Sequence, residues 1–439
     1  MEFDTIIIGS GPGGYAAAIR LGQRNRKVLL VEKDRIGGEC LNYGCIPSKA
    51  LIELSHSVSY LREMPGVKAD ISIDLQEWQK WKWGMIGRLT GGVETLCKSY
   101  GVRIEKGFAT IVDSHTVEVN SARYTGENLI IATGSVPVSF QNMKDVYFNR
   151  EILDLDRIPE SLVIIGGGYI GVELGTAFAK LGSEVTIIEM MDGILPGVDR
   201  ELVRPVERRL RDLKVNIIVS TKVESVERQG KYTIRLASGN SIEAENVLLT
   251  VGRRPNTSGF GLEKLGLEMD RGFIKTDDRK RTSVPGVYAI GDVSGQPMLA
   301  HKAYYDAEIA ADNICGIDNK VDYRAMPYVI YSDPEISYTG DLKGKMASFP
   351  AAANGRSLTM NNALGTFRIY CDEKGNVNGA GITAPHSSEM ISELSLAVES
   401  GLNAMDIGLT IHPHPTVAEG VKEMSEAAYG LPLHFKPRS

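Results

Sequence analysis

The 439-residue sequence predicts an α/β fold, with two Rossmann-like dinucleotide-binding units followed by a C-terminal α+β region. Three observations carry that prediction. A β-branched run is joined by a glycine-rich turn to an alanine-rich helical stretch near the start, the same unit recurs in the middle of the chain, and the texture changes beyond about residue 321. Apolar residues make up 43% of the chain, enough for several cores, and the net charge of −6 carries no nucleic-acid footprint. No apolar run of ~18 residues is present and Met1 enters the first strand without a basic leader, so a cytoplasmic protein is expected.

Residues 3–8 (FDTIII) read as a strand, Gly9, Gly11 and Gly14 as a tight turn, and the stretch through Gln23 as a helix. Val28 to Val31 is the next strand and ends in Glu32. Glycines at these positions let a backbone approach a pyrophosphate at a helix N-terminus, and the acid takes ribose hydroxyls. The second copy runs from Leu162 to Ile165 through Gly166, Gly168 and Gly171, then a helix through Lys180, then Val185 to Ile188 and Glu189. The acid follows the first glycine at the same interval in both copies, which points to a duplication and to two bound dinucleotides. Met190, Met191 and Asp192, rather than arginines, follow Glu189; a carboxylate there repels a 2′-phosphate, so NAD is expected over NADP.

Between the copies, residues 51–100 read as helices, with Trp78, Trp81 and Trp83 serving as packing or as a binding platform. Leu129 to Ser135 (LIIATGS) is a buried strand and tight turn, and Val247 to Pro255 repeats that pattern. The run Val287 to Asp292 (VYAIGD) places Asp292 at the C-terminal end of a strand, where it either contacts a ribityl or ribose group or caps a helix. In the last region, a helix opens at Ser387 and ends before Gly401, and a strand covers Gly379 to Ile382. Thr416 and Glu419 fit a T-x-x-E capping box; the alternative role for Glu419 is to orient the imidazole of His414.

The stretch Gly37 to Ala50 (GGECLNYGCIPSKA) holds the densest chemistry. Cys40 and Cys45 form either a disulfide or a pair of thiols. On a regular helix residues i and i+5 lie too far apart to bridge, so closure needs a distorted turn, for which Gly44 and Pro47 are suited. A bond closing so small a loop adds little stability and suits redox chemistry. A metal site fails for want of ligands, because Cys97, Cys315 and Cys371 are isolated.

Together these motifs, with Met298-Leu299-Ala300-His301-Lys302 and His414-Pro-Thr-x-x-Glu419, resemble the flavin-dependent pyridine-nucleotide disulfide oxidoreductases over essentially the full chain. The resemblance implies FAD at the first unit and NAD at the second. It divides the chain into an FAD-binding part (1–145), an NAD-binding part (146–270), a returning FAD-binding segment (271–320) and a dimerisation domain (321–439). It assigns FAD contacts to Gly9, Gly11, Gly14, Glu32, Lys49, Ala109, Thr133, Gly134, Ser135, Asp292, Met298, Leu299, Ala300 and His301. NAD contacts fall to Gly166, Gly168, Gly171, Glu173, Glu189, Val223 and Gly252, with Glu173 also pairing with Lys49.

By the same resemblance Cys45 lies against the flavin, Cys40 exchanges with a dithiol substrate, and His414, backed by Glu419, is the acid/base that reaches the partner subunit's site in a homodimer. The implied reaction is oxidation of dihydrolipoamide, free or on a lipoyl protein of a 2-oxoacid dehydrogenase or glycine cleavage complex, with NAD as acceptor. Another disulfide reductase of the family, or a non-catalytic flavoprotein subunit, are the competing readings. Three departures from the family pattern stand out: Glu39 where a small hydroxyl residue is usual, with an expected effect on the Cys40 thiol or its access; Tyr169 beside the second glycine turn; and a short Gly340 to Met346 connection.

Overall fold

The structure, a computed structural model, describes residues 1–436. The first unit is laid down as β1 (Phe3–Ile8), α1 (Pro12–Gln23) and β2 (Val28–Glu32), the bounds the glycine spacing implies. Then come α2 (Gly38–Tyr43), α3 (Cys45–Glu63), α4 (Leu75–Ser99), β3 (Arg103–Lys106), β4 (Ala109–Ile111), β5 (Thr116–Val119), β6 (Ala122–Ile131) and β7 (Ser135–Pro137). Strands β3, β2, β1 and β6 run parallel in that order, while β5 and β4 extend the sheet antiparallel. The β1 residues Ile6 to Ile8 are buried on both faces, the pattern of a parallel strand covered by helices on each side.

The second unit repeats the construction. It comprises α5 (Asn149–Ile152), β8 (Ser161–Ile165), α6 (Tyr169–Leu181), β9 (Glu184–Ile188), α7 (Arg200–Asp212) and β10 (Asn216–Ile218), then a three-stranded antiparallel sheet of β11 (Val223–Gln229), β12 (Lys231–Leu236) and β13 (Ser241–Ala244). It closes with β14 (Asn246–Leu249), which pairs with β8, and β15 (Arg253–Pro255), which pairs with β7 of the first unit. After the small hairpin β16 (Met269–Asp270) and β17 (Phe273–Ile274), β18 (Val287–Ala289) lies parallel beside β6, bringing the chain back into the first sheet. Helix α8 (Ala300–Ile314) then packs on α1.

The last region is a five-stranded antiparallel sheet, with β19 (Tyr328–Ile330), β20 (Ile336–Gly340), β21 (Lys345–Pro350), β22 (Thr366–Cys371) and β23 (Val377–Thr383) in the order β19-β20-β23-β22-β21. Four helices accompany it: α9 (Gly355–Thr359), α10 (Ser387–Ser400), α11 (Ala404–Leu409) and α12 (Glu419–Ala428). Two of these exceed the sequence expectation; α9 and α11 are five and six residues long, too short to show a helical period. The Gly340 to Met346 connection is a loop of four residues between β20 and β21 with no helix in it.

The three regions meet along α3 and α6, which pack against each other. At one end Glu173 on α6 bonds Lys49 on α3 at 2.8 Å and accepts the Tyr331 N–H at 2.9 Å. At the other, Asp333 takes Lys180 of α6 at 2.6 Å and Arg209 of α7 at 2.8 Å, and Arg209 also binds Glu63 of α3. Asp333 is buried, but Lys180 and Arg209 outweigh the burial and hold its carboxyl well below the ordinary range. His56 of α3 lies beside this cluster with its Nε2 unpartnered, and burial, with Lys180 next, pushes its pKa down to about 4.

A neutral His56 in the folded chain must be deprotonated where the unfolded chain binds a proton. Stability therefore falls as pH drops from about 6.5 to about 4, by roughly 2–3 kcal/mol from His56. Asp333, with its depressed pKa, extends the loss to lower pH. Thermal melts across that range should show the decline, and His56→Asn should flatten its upper part.

Candidate active site

Each glycine turn is shaped by one steric demand repeated in both units. Gly9 (φ +98°) and Gly166 (φ +108°) are left-handed, and a Cβ on them would come within 2.4 Å of the Ala132 carbonyl oxygen and 2.5 Å of that of Thr250. Gly14 and Gly171 let the helix approach the turn so closely that a Cβ would lie 1.8 and 2.1 Å from the carbonyl oxygens of Gly9 and Gly166. Gly11 and Gly168, by contrast, would point a Cβ into open space, leaving a cradle beside the first N–H groups of α1 and α6. The two acids are held alike. Glu32 accepts from the Ser10 and Asp34 N–H groups at 2.8 Å each; Glu189 accepts from Gly167 at 2.7 Å and Met191 at 2.8 Å. Both cradles fit a dinucleotide phosphate beside a ribose-binding acid.

From the first cradle a cleft, open at its mouth, runs past Glu32, Ala109, Thr133, Gly134 and Ser135 to Cys40, Cys45, Lys49, Tyr169 and Glu173. Asp292, Met298 and Ala300 line its other wall. The cleft thus joins the first phosphate cradle to the dithiol, as an extended dinucleotide ligand requires. Of the two readings of Asp292 the lining position favours a contact with the ligand. Its carboxylate accepts from the Ser135 hydroxyl at 2.6 Å, and it lies at the start of a 3₁₀ turn.

The redox stretch folds as α2 and α3 broken at Gly44 (φ −127°, ψ −104°), the distortion that the cysteine spacing requires. Both cysteines are thiols, hydrogen-bonded to each other. Protein encloses Cys45 on most sides, and its accessible surface opens onto the cleft. Cys45 is held below the ordinary thiol range by the Cys40 hydrogen bond and by Lys49 against the opposing effect of burial; Cys40, whose proton is shared with Cys45, is pushed far up by that bond and by burial. The pair is thus asymmetric, with Cys45 the more acidic sulfur and Cys40 the one that keeps its proton, and both line the cleft. Lys49 stays charged because Glu173 outweighs its burial, and its ammonium lies 4.4 Å from the Tyr331 ring centroid.

Glu39 is not what raises the Cys40 thiol. Glu39 turns away to Asn149 at 2.7 Å and Arg150 at 3.1 Å, and Cys45 and burial account for the thiol's shift. Tyr169 stands in the cleft at the first position of α6, 44% exposed. Leu299 precedes α8 as its cap, and His301 bonds the Pro327 carbonyl at 2.8 Å; neither lines the cleft. Val223 is buried in the core of its sheet, and Gly252 (φ +116°) makes the turn after β14. Arg253, which the sequence reading passed over, lines the cleft and donates to the Ser135 hydroxyl at 2.8 Å and carbonyl at 2.9 Å. Its signal was its place just after the repeated strand-and-glycine pattern.

His414 is 78% exposed and is absent from this cleft. Its Nδ1 meets Glu419 Oε1 at 2.9 Å, while Glu419 Oε2 accepts the Thr416 N–H at 2.9 Å. Glu419 therefore bonds His414 and the Thr416 N–H at once, but not as part of a capping box, because α12 begins at Glu419 with Ala418 as its cap. The Thr416 half of the capping box does not form, since its hydroxyl donates to the Pro413 carbonyl at 2.8 Å. Despite burial, the Thr416 and His414 bonds keep the Glu419 carboxyl below its ordinary range. The tryptophans fall to packing and surface: Trp78 packs on the central core, Trp83 donates to Asp154 at 2.8 Å, and Trp81 is 52% exposed.

Two nucleotide cradles around a hydrogen-bonded dithiol define a nucleotide-linked thiol–disulfide redox protein. Residues 3–307 match the family model described as pyridine nucleotide-disulphide oxidoreductase and residues 326–425 match the model of its dimerisation domain, so the chain belongs to that family. It is 45% identical to the dihydrolipoyl dehydrogenase of Geobacillus stearothermophilus, with 99% of this chain and 98% of the relative covered. It is 41% identical to that of Haloferax volcanii, with 98% and 97% covered. Among solved structures, LpdA from Mycobacterium tuberculosis superposes with a TM-score of 0.91 at 25% identity, covering 96% of this chain and 99% of the other. The HOCl-induced flavoprotein disulfide reductase RclA of Escherichia coli gives 0.88 at 26%, covering 97% and 99%.

Lys49→Met removes the charge that helps hold Cys45 as thiolate. Alkylation of Cys45 at neutral pH, followed by mass spectrometry, should slow several-fold, and the pH at which it is half-maximal should rise.

Proposed function

We propose that the chain is a dihydrolipoyl dehydrogenase that oxidises a dihydrolipoyl dithiol to the cyclic disulfide with NAD as acceptor. The observation that carries the reading is the dithiol in the cleft that runs from the first nucleotide cradle, with Lys49 beside Cys45 and residues of α6, the helix of the second glycine turn, on its wall. The protein uses FAD and NAD. Bound FAD would supply two-electron transfer between the Cys40–Cys45 pair and the nicotinamide. On this reading Gly9, Gly11, Gly14 and Glu32 hold its adenosine and pyrophosphate, Asp292 and the Ala132 to Ser135 turn its middle, and Lys49 its reactive end. Gly166, Gly168, Gly171 and Glu189 hold NAD, whose free 2′-hydroxyl the Glu189 carboxylate accepts.

The thiol chemistry belongs to the chain's own residues. His414, with Glu419 accepting at Nδ1, takes a proton from one substrate thiol at Nε2. The thiolate attacks Cys40 of the Cys40–Cys45 disulfide, forming a substrate–Cys40 bond and releasing Cys45 as a thiolate that the Lys49 charge stabilises. The second substrate thiol, its proton passing to the departing Cys40, then attacks the sulfur of the first, closing the substrate disulfide and releasing Cys40 as a thiol. The chain works as a homodimer through its dimerisation domain. The exposure of His414 supports its reaching the cleft of the partner subunit, and a lipoyl-bearing protein is the partner this chemistry suits. The division into segments 1–145, 146–270, 271–320 and 321–439 is supported by the return of β18 to the first sheet.

Steady-state assay of dihydrolipoamide with NAD or NADP, against NADPH with glutathione disulfide, tests the reading. Fast NADH formation with dihydrolipoamide is expected; turnover only with glutathione disulfide would replace the substrate. His414→Ala should lower dithiol turnover by ~10²–10⁴-fold while NADH still reduces the flavin, and equal loss of both would refute the role of His414. Glu189→Ala should erase most of the preference for NAD over NADP, read as the ratio of kcat/KM values.

A further inference from the structure

Helix α2 carries Cys40, has only six residues, and is tied at both ends to the next region of the chain. Asn149, at the start of α5, is buried, and its single amide nitrogen donates to Glu39 Oε1 at 2.7 Å and to the Tyr43 carbonyl at 2.7 Å. One side chain thus grips the first turn of α2 and its last residue. Arg150 adds a second hold: its guanidinium lies 3.1 Å from Glu39 Oε2, 3.4 Å from Asp34, and 3.7 Å from the centre of the Tyr43 ring. Arg253, which braces Ser135 in the cleft, approaches Glu39 at 3.9 Å. The carboxylate is therefore surrounded by donors and is turned from the thiol next to it in sequence.

We propose that Glu39 is a positioning residue that clamps α2 to Asn149 and Arg150 and thereby fixes the reach of Cys40 to Cys45. This rests on the reading of the two cysteines as the redox pair. Closing the enzyme disulfide is an intramolecular step whose equilibrium depends on how often Cys40 lies within bonding distance of Cys45. A six-residue helix between two glycine-containing breaks has little stability of its own, so the clamp sets that frequency. Loosening it lowers the effective concentration of Cys40 at Cys45 and makes the disulfide easier to reduce.

The test is a redox titration of the flavin-loaded protein in mixtures of reduced and oxidised dithiothreitol. The reductant's dithiol becomes its cyclic disulfide as the enzyme disulfide takes up two electrons and two protons. The fraction of Cys40 and Cys45 open to alkylation, read by mass spectrometry, gives the equilibrium constant without passing through substrate turnover. Glu39→Thr should shift that constant toward the dithiol by about fivefold to tenfold, equivalent to ~20–30 mV. Asn149→Ala, which leaves the Glu39 charge and Arg150 in place, should shift it in the same direction, and the double variant should fall well short of the product of the two.

An Asn149→Ala constant equal to the wild type, or a Glu39→Thr constant equal to it, would overturn the clamp; so would fully multiplicative effects. The first of those results, with Glu39→Thr still shifted, would assign the effect to the carboxylate's charge instead. Retained flavin absorption and an unchanged melting profile exclude misfolding as the source of a shift. Failure of the wild-type pair to titrate as a two-electron couple would instead remove the dithiol reading on which the clamp rests.

Discussion

The Lys49–Glu173 ion pair, 2.8 Å long and nearly enclosed, is the contact on which the arrangement of the site depends. Lys49 comes from the helix that begins at Cys45; Glu173 comes from the helix that begins at the second glycine turn. The second carboxylate oxygen of Glu173 takes the Tyr331 N–H, so the same residue reaches the strand region that leads into the dimerisation domain. A lone buried charge of either sign would be expensive, and breaking a buried pair by removing one partner costs more than the pair contributes net. The two units are therefore registered on each other at the point where the thiolate sits. Any shift of α6 along α3 would separate the two charges.

The electrostatics of the dithiol follow from that registration. Two thiols alone in a partly buried site would both be pushed up by desolvation. Lys49 breaks the symmetry: it lies near Cys45, and the Cys40 proton then serves as donor to the Cys45 sulfur. Cys45 becomes the more acidic sulfur and Cys40 keeps the proton, an asymmetry set first by their mutual hydrogen bond and strengthened by Lys49, four positions along the helix from Cys45. A lysine one turn into α3 points back along the helix toward its N-terminus, where the helix end itself favours a negative sulfur.

Most of this was legible in the sequence because it depends on local backbone demands. Gly9 and Gly166 must be glycine since a carbonyl oxygen occupies the Cβ position, and the run of strand, turn, helix, strand and acid carries its own bounds. The need for a break between Cys40 and Cys45 was equally a matter of chain geometry, and it falls at Gly44. What was not legible is what long side chains do after the chain has folded. Glu39 sits next to Cys40 in sequence, so its charge was read onto the thiol; in space its carboxylate is bonded to Asn149 and Arg150, more than a hundred residues on. Arg253 braces Ser135 and His301 bonds Pro327 for the same reason, and the short helices α9 and α11 arise from capping by Asn354 and Asn403 rather than from any period.

Glu419 shows how one carboxylate serves two demands that a sequence presents as alternatives. Its Oε2 satisfies the Thr416 N–H as the chain enters α12, which fixes the side chain before any functional partner is considered. Because that bond has already spent the rotamer freedom of the glutamate, its Oε1 is held where His414 Nδ1 can donate to it. The imidazole is then left with Nε2 free and facing outward from a loop that is itself exposed. Within its own chain the imidazole lies outside the cleft that holds the dithiol. His414 lies within residues 326–425, which match the family's dimerisation-domain model, and on the reading proposed above the cleft it serves is the partner's.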